Sequence, residues 1–92
     1  MDITNNKKLF RFEIALADGE FATLSYRWLK GNMVLMQTLV PAAARGQGLA
    51  GMLAKYALEN AREHGMEVVV YCHFVADYLK EHPEYNDVVA QP

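Results

Sequence analysis

The chain has 92 residues, 52% of them hydrophobic, which suits one domain with a thin core and leaves no room for a separate cofactor domain. Its 9 lysines and arginines against 11 acidic residues leave a net charge of −2, which argues against a nucleic-acid-binding module, because such a module needs a basic face. A single cysteine excludes an internal disulfide and any multi-cysteine zinc site, and it fits a reducing compartment.

The opening segment, Met1 to Lys8, has no apolar h-region and reads as a frayed start. No apolar run approaches the ~20 residues of a membrane span, so a soluble cytoplasmic protein without membrane contact is expected. Phe10, Phe12, Ile14 and Leu16 alternate with Arg11, Glu13, Ala15 and Ala17, the period of a strand. Asp18-Gly19 signals a hairpin. Glu20 to Trp28 follows as a second strand, with Ala22, Leu24, Tyr26 and Trp28 on one face. After a turn at Lys30-Gly31-Asn32, Met33 to Val40 forms a more continuously apolar third strand, placed centrally in the sheet.

Pro41 breaks that strand, and Leu49, Met52, Leu53, Tyr56 and Ala57 then recur on one face of a helix from Gly48 to His64, ended by Gly65. Glu67 to Tyr71 is a buried strand, parallel to Met33–Val40 through a right-handed crossover. A second helix begins near His73 and carries Phe74, Val75, Tyr78 and Leu79 as far as Lys80 or Glu81, where Pro83 stops it. The tail from Glu84 has Tyr85, Val88 and Val89 to pack back, while residues 1–8 and 87–92 are the candidates for fraying. The predicted order is β-β-β-α-β-α, a mixed α/β (α+β) sheet with helices packed on it.

The junction Arg45-Gly46-Gln47-Gly48-Leu49-Ala50 joins strand to helix. Two glycines there leave backbone N–H groups uncovered at the positive end of a helix dipole, a setting suited to a phosphate or pyrophosphate. The same glycines also suit a tight turn with no ligand. A P-loop would need Gly-Lys-Ser/Thr where this chain has Gly48-Leu49-Ala50, and a dinucleotide fold would need an acidic residue where the next strand ends in Tyr71-Cys72.

Arg45 to Ala50 fits the Arg/Gln-x-x-Gly-x-Gly/Ala signature of the GNAT acetyltransferase superfamily. Together with Thr38 to Pro41, Cys72-His73-Phe74-Val75 (a Cys-x-Phe-Val motif), Tyr78 and His82-Pro83-Glu84-Tyr85, the chain resembles the minimal, single-domain GNAT-like N-acetyltransferases over roughly residues 9–88. The resemblance implies a GNAT-like fold with acetyl-CoA as acyl donor. Gly46, Gln47, Gly48, Leu49 and Ala50 would hold the pyrophosphate through backbone N–H groups, with Arg45 beside them. Leu39 to Pro41, Leu39 and Val40 above all, would pair with the pantetheine amides, and the Val40 N–H would polarise the thioester carbonyl.

Family members usually carry a cysteine where Cys72 stands, proposed as nucleophile or acyl acceptor. A helix N-terminus favours a thiolate there, although a buried thiol is also common simply as core. The chain departs from the family in two places. Gln37-Thr38-Leu39-Val40 stands where the family has His-Thr-Glu-Val, so an amide replaces a possible base. His73 replaces a proline after the cysteine and is itself a candidate base. The implied function is acetyl transfer to an amine, either a small molecule or a protein or peptide, by direct attack or through acetyl-Cys72. The alternatives are a non-catalytic CoA-binding module or sensor and a ligand-free interaction domain. The histidines show no metal-ligand spacing, and Tyr26 with Trp28 is either core or a homodimer contact, so a monomer and a homodimer stay open.

Overall fold

The computed structural model describes residues 2–90. Five strands form one sheet in the spatial order of the chain: β1 (Ile3–Asn6), β2 (Arg11–Ala15), β3 (Phe21–Leu29), β4 (Asn32–Leu39) and β5 (Val68–Val70). The first four are antiparallel neighbours, and β5 runs parallel to β4. The crossover between them is α1 (Leu49–Glu63), and α2 (His73–Glu81) follows β5.

The expected meander therefore has a fourth strand. The segment expected to fray is β1, in register with β2 from Ile3 opposite Ile14 to Asn6 opposite Arg11. Its Thr4-Asn5-Asn6 sequence has weak strand propensity, and its place in the sheet rests on partners instead. The Tyr26 hydroxyl donates to Asn5 Oδ1 at 2.7 Å, and the Asn6 amide donates to Glu13 at 3.1 Å. Burial raises the Tyr26 phenol above its ordinary value, and the Asn5 contact partly offsets this. Phe10, expected inside a strand, lies in the preceding turn with a φ of 54°.

Ala22, Leu24 and Tyr26 face α1 and are buried. Trp28 continues their face but is 49% exposed, edge-on to Tyr26 at 5.6 Å. The helix buries Leu49, Leu53, Ala54, Ala57, Leu58 and Ala61. Its alanines let the backbone approach Phe12, Ile14, Leu24 and Leu35 in one core.

After α2, Pro83–Val88 forms a 3-10 turn that returns to the body. Tyr85 and Val88 are buried, and Val89 bridges to Val68, so residues 87–90 are packed rather than frayed. Residues 91 and 92, also placed in the frayed tail from sequence, lie outside the described residues. No helix among the described residues is long and apolar enough to cross a membrane.

Candidate functional site

The site begins where β4 and β5 part. Their pairing ends at Leu35 opposite Val70, and the Leu35 carbonyl then accepts both the Tyr71 N–H at 2.9 Å and the Cys72 N–H at 3.0 Å. The chain turns there into α2, while β4 runs on to Leu39. On its other side β4 carries a bulge: Ser25 lies opposite Gln37 but Tyr26 lies opposite Leu35, which leaves Met36 as the extra residue. Bulges bend a strand and re-aim its side chains.

Two consequences follow from this geometry. The Gln37 carbonyl accepts the Ser25 hydroxyl at 3.3 Å and so faces β3. By strand alternation, the N–H and C=O of Thr38 face the gap beyond β5. Thr38 also lies opposite Leu24, on the core face, where its Oγ1 meets Cys72 Sγ at 3.1 Å. Cys72 is the N-cap of α2, 5% exposed, and its carbonyl accepts the Ala76 N–H.

Two clefts open on either side of this contact. The first, about 410 Å³, has Leu39 and Val40 on one wall and Arg45, Gly46, Gly48 and Ala50 on the other. Gly46 and Gly48 have φ of 83° and 76°, and Gly48 is the N-cap of α1. A side chain at either position would meet nothing within 4 Å, so glycine is required there by backbone conformation and not by crowding. Arg45 Nε donates to the Val40 carbonyl at 3.1 Å, which ties the loop to the end of β4. Leu49 also borders this cleft, whereas Gln47 does not.

The second cleft, about 430 Å³, is bordered by Gln37, Tyr71, Cys72 and His73. Thr38 and Phe74 line both clefts and form the partition. Phe74, on the second helix as expected, is 41% exposed, whereas its neighbour Val75 is buried. Thr38 and Phe74 both fall in segments that carry the family resemblance, Thr38 to Pro41 and the Cys-x-Phe-Val motif, but the sequence assigns neither a role of its own in the site. The bulge that turns Thr38 inward is invisible in the residue pattern, and neither helical spacing nor the motif shows that Phe74 stands between two clefts.

His82-Pro83-Glu84-Tyr85 stands apart from both clefts and docks the tail. His82 stacks on Tyr78 at 4.1 Å, and Arg62 donates to the Glu84 carbonyl at 2.8 Å and to Asp87 at 2.6 Å. The Tyr85 hydroxyl donates to Glu59. That hydrogen bond, with burial behind it, pushes the phenol from its ordinary 10.0 up to about 12. Arg62 holds the Asp87 carboxyl below its usual range, while a backbone hydrogen bond and then His82 do the same for Glu84. His64 Nδ1 contacts the Asn60 carbonyl at 2.8 Å at the end of α1.

A glycine-rich helix start beside the splayed ends of two parallel strands in a five-stranded mixed sheet is the layout of a GNAT-like fold. The model for the GCN5-related N-acetyl-transferase family matches residues 11–88, and the chain belongs to that family. It is similar to Protein NATD1 of Gallus gallus, 32% identical over 85 residues that cover 90% of this chain and 77% of the chicken protein. Protein NATD1 of Mus musculus is 38% identical over 63 residues, 67% of this chain and 57% of the mouse protein. Among solved structures, a GCN5-like protein from Staphylococcus aureus determined by NMR superposes with a TM-score of 0.75 at 25% identity, covering 99% of this chain and 89% of that one.

Proposed function

We propose that this chain is a single-domain N-acetyltransferase that takes acetyl groups from acetyl-CoA and passes them to an amine. The observation that carries the reading is the pair of adjoining clefts, one built on the α1 N-terminus and the other holding Cys72, with only Thr38 and Phe74 between them.

The chain's own groups suit the donor. The open left-handed turns at Gly46 and Gly48 leave room for a pyrophosphate against the N–H groups that start α1. Gly46 to Ala50 would hold it with Arg45 alongside, and the backbone at the end of β4, from Thr38 to the Val40 N–H, would take the pantetheine amides as an added strand. Acetyl-CoA, when bound, supplies an activated thioester. The Val40 N–H would polarise its carbonyl oxygen, and Cys72 would take the acetyl group before the amine or leave the amine to attack directly. His73, which lines the Cys72 cleft, would take the released proton. The single cysteine agrees with work in a reducing compartment such as the cytoplasm.

A second reading, a CoA-binding module without turnover, draws on Gln37. It stands exposed in the Cys72 cleft with an amide where a base is expected. Calorimetric titration with acetyl-CoA, followed by an assay of CoA thiol release with added amines, tests both. One-to-one binding with amine-dependent thiol release supports the transferase, binding without release supports the module, and no binding removes both.

A further inference from the structure

The second cleft has a composition that selects among amines, and this selection rests on the acetyl-transfer reading. No aspartate or glutamate lines it among the described residues. Asp77, one turn along α2 from His73, is paired with Lys80 at 3.7 Å. The walls are apolar and accessible: Met36, Tyr71 at 65% exposure and Phe74. The polar side-chain groups are the Gln37 amide, the His73 imidazole, the Tyr71 and Thr38 hydroxyls and the Cys72 thiol, with no carboxylate among them.

An alkylammonium such as a polyamine or a lysine side chain would lose water in this cleft with no carboxylate to replace it. The apolar, aromatic walls offer a cation little in exchange for its hydration. It would have to shed a proton before attack as well as during it, and with no proton affinity at Gln37 both would fall to His73. A weakly basic aromatic amine meets neither obstacle. It is uncharged at neutral pH, its ring packs against Tyr71, Phe74 and the Met36 sulfur, and its N–H groups reach amide and imidazole acceptors. A cleft of about 430 Å³ is of small-molecule size.

We propose that the acceptor of the Cys72 cleft is a small, weakly basic aromatic amine, held between Tyr71 and Phe74 with Gln37 and His73 on its nitrogen. The nitrogen lone pair attacks the thioester carbonyl carbon. A C–N bond forms, the C–S bond breaks with its electron pair leaving on sulfur, and His73 carries the nitrogen's proton to that sulfur. The products are an arylamide and a free thiol.

The test compares 4-methylaniline, spermidine and a lysine-containing peptide as acceptors under saturating acetyl-CoA, with acetyl-CoA affinity measured on the same sample. We expect kcat/KM for 4-methylaniline to exceed that for either cationic amine by about ten-fold or more. Tyr71→Ala should raise its KM several-fold while acetyl-CoA affinity holds. Binding is also read without turnover, from two-dimensional amide NMR spectra, where 4-methylaniline should shift Gln37, Tyr71 and His73 and spermidine should not. Equal or better turnover of spermidine or peptide, or cleft shifts produced by spermidine alone, overturns the substrate class and leaves acetyl transfer standing. Loss of acetyl-CoA binding itself removes the reading beneath it.

Discussion

The two clefts differ in how they are made. The glycine-loop cleft is lined largely by residues with small side chains or none, Ala44, Gly46, Gly48, Ala50 and Gly51, beside Leu39 and Val40, and the pyrophosphate contacts proposed for it are to backbone N–H groups. The Cys72 cleft is lined by residues with larger or functional side chains, drawn from β4, the segment after β5 and the start of α2. A backbone site depends on dihedral angles and tolerates change at most side chains, whereas a side-chain site depends on the register that brings distant residues together. The first should therefore fail through conformation and charge, and the second through loss of single functional groups.

The largest effect is expected at the loop. Gly48→Glu places a side chain on a residue with φ of 76° and a carboxylate at the α1 N-terminus, where the proposed pyrophosphate would sit. Since nothing lies within 4 Å of a Cβ there, clash with the protein plays no part. Acetyl-CoA affinity by calorimetry should fall at least about a hundred-fold, whereas Gly48→Ala, which brings about 1 kcal/mol of strain without charge, should cost about ten-fold or less. Equal losses for both would assign the site to conformation alone.

In the other cleft Cys72→Ala should leave acetyl-CoA affinity within about two-fold and remove turnover. Intact-protein mass spectrometry of the wild type after acetyl-CoA treatment should show one added acetyl group, absent from the variant. A Cys72→Ala protein with full turnover would leave direct attack as the route. Thr38→Val removes the hydroxyl that meets Sγ at 3.1 Å and keeps the side-chain shape. The expected loss in kcat is about ten-fold, the worth of one hydrogen bond, with acceptor KM unchanged and Thr38→Ser restoring the rate. Parallel loss in the valine and serine variants would point to packing. Gln37→His adds a second imidazole to the cleft beside His73 and should raise kcat a few-fold for a cationic amine, read as a steeper rise of rate between pH 6 and 8. No change would show that position 37 takes no proton.

The same contrast explains what the sequence discloses. The loop is legible because Gly46 and Gly48 lie two apart at a strand-to-helix junction, and their left-handed φ values are what that spacing anticipates. Order, type and approximate ends of β2 to β5 and both helices follow from periodicity in the same way. Other features depend on pairing that a local pattern does not encode. β1 is polar by composition and held by Tyr26 and Glu13, which lie at least seven residues away in sequence. The bulge at Met36 leaves no mark in an apolar run, yet it decides that Thr38 and not Gln37 meets Cys72. Tyr71 reads as the end of a buried strand and Phe74 as part of the second helix and of the Cys-x-Phe-Val motif, and only the parting of β4 and β5 shows that both border a cleft.

The smallest effect is expected away from both clefts, which makes it the control for the comparison. Tyr85 donates to Glu59 on α1 and borders neither cleft, so Tyr85→Phe should leave acetyl-CoA affinity and turnover unchanged while lowering stability by about 1 kcal/mol in urea unfolding. Its dependence on pH has a definite sign. The folded protein holds the phenol protonated up to about 12, against 10.0 when the residue is free, so the unfolded chain releases this proton first. The contribution is complete below pH 10 and is lost as pH rises from there through 12. Phenylalanine has no such proton, so the gap between the unfolding free energies of wild type and variant should close over that interval. A gap that stayed constant would mean that Tyr85 holds the tail by packing alone, and a change in turnover would show that the docked tail reaches the clefts through α1.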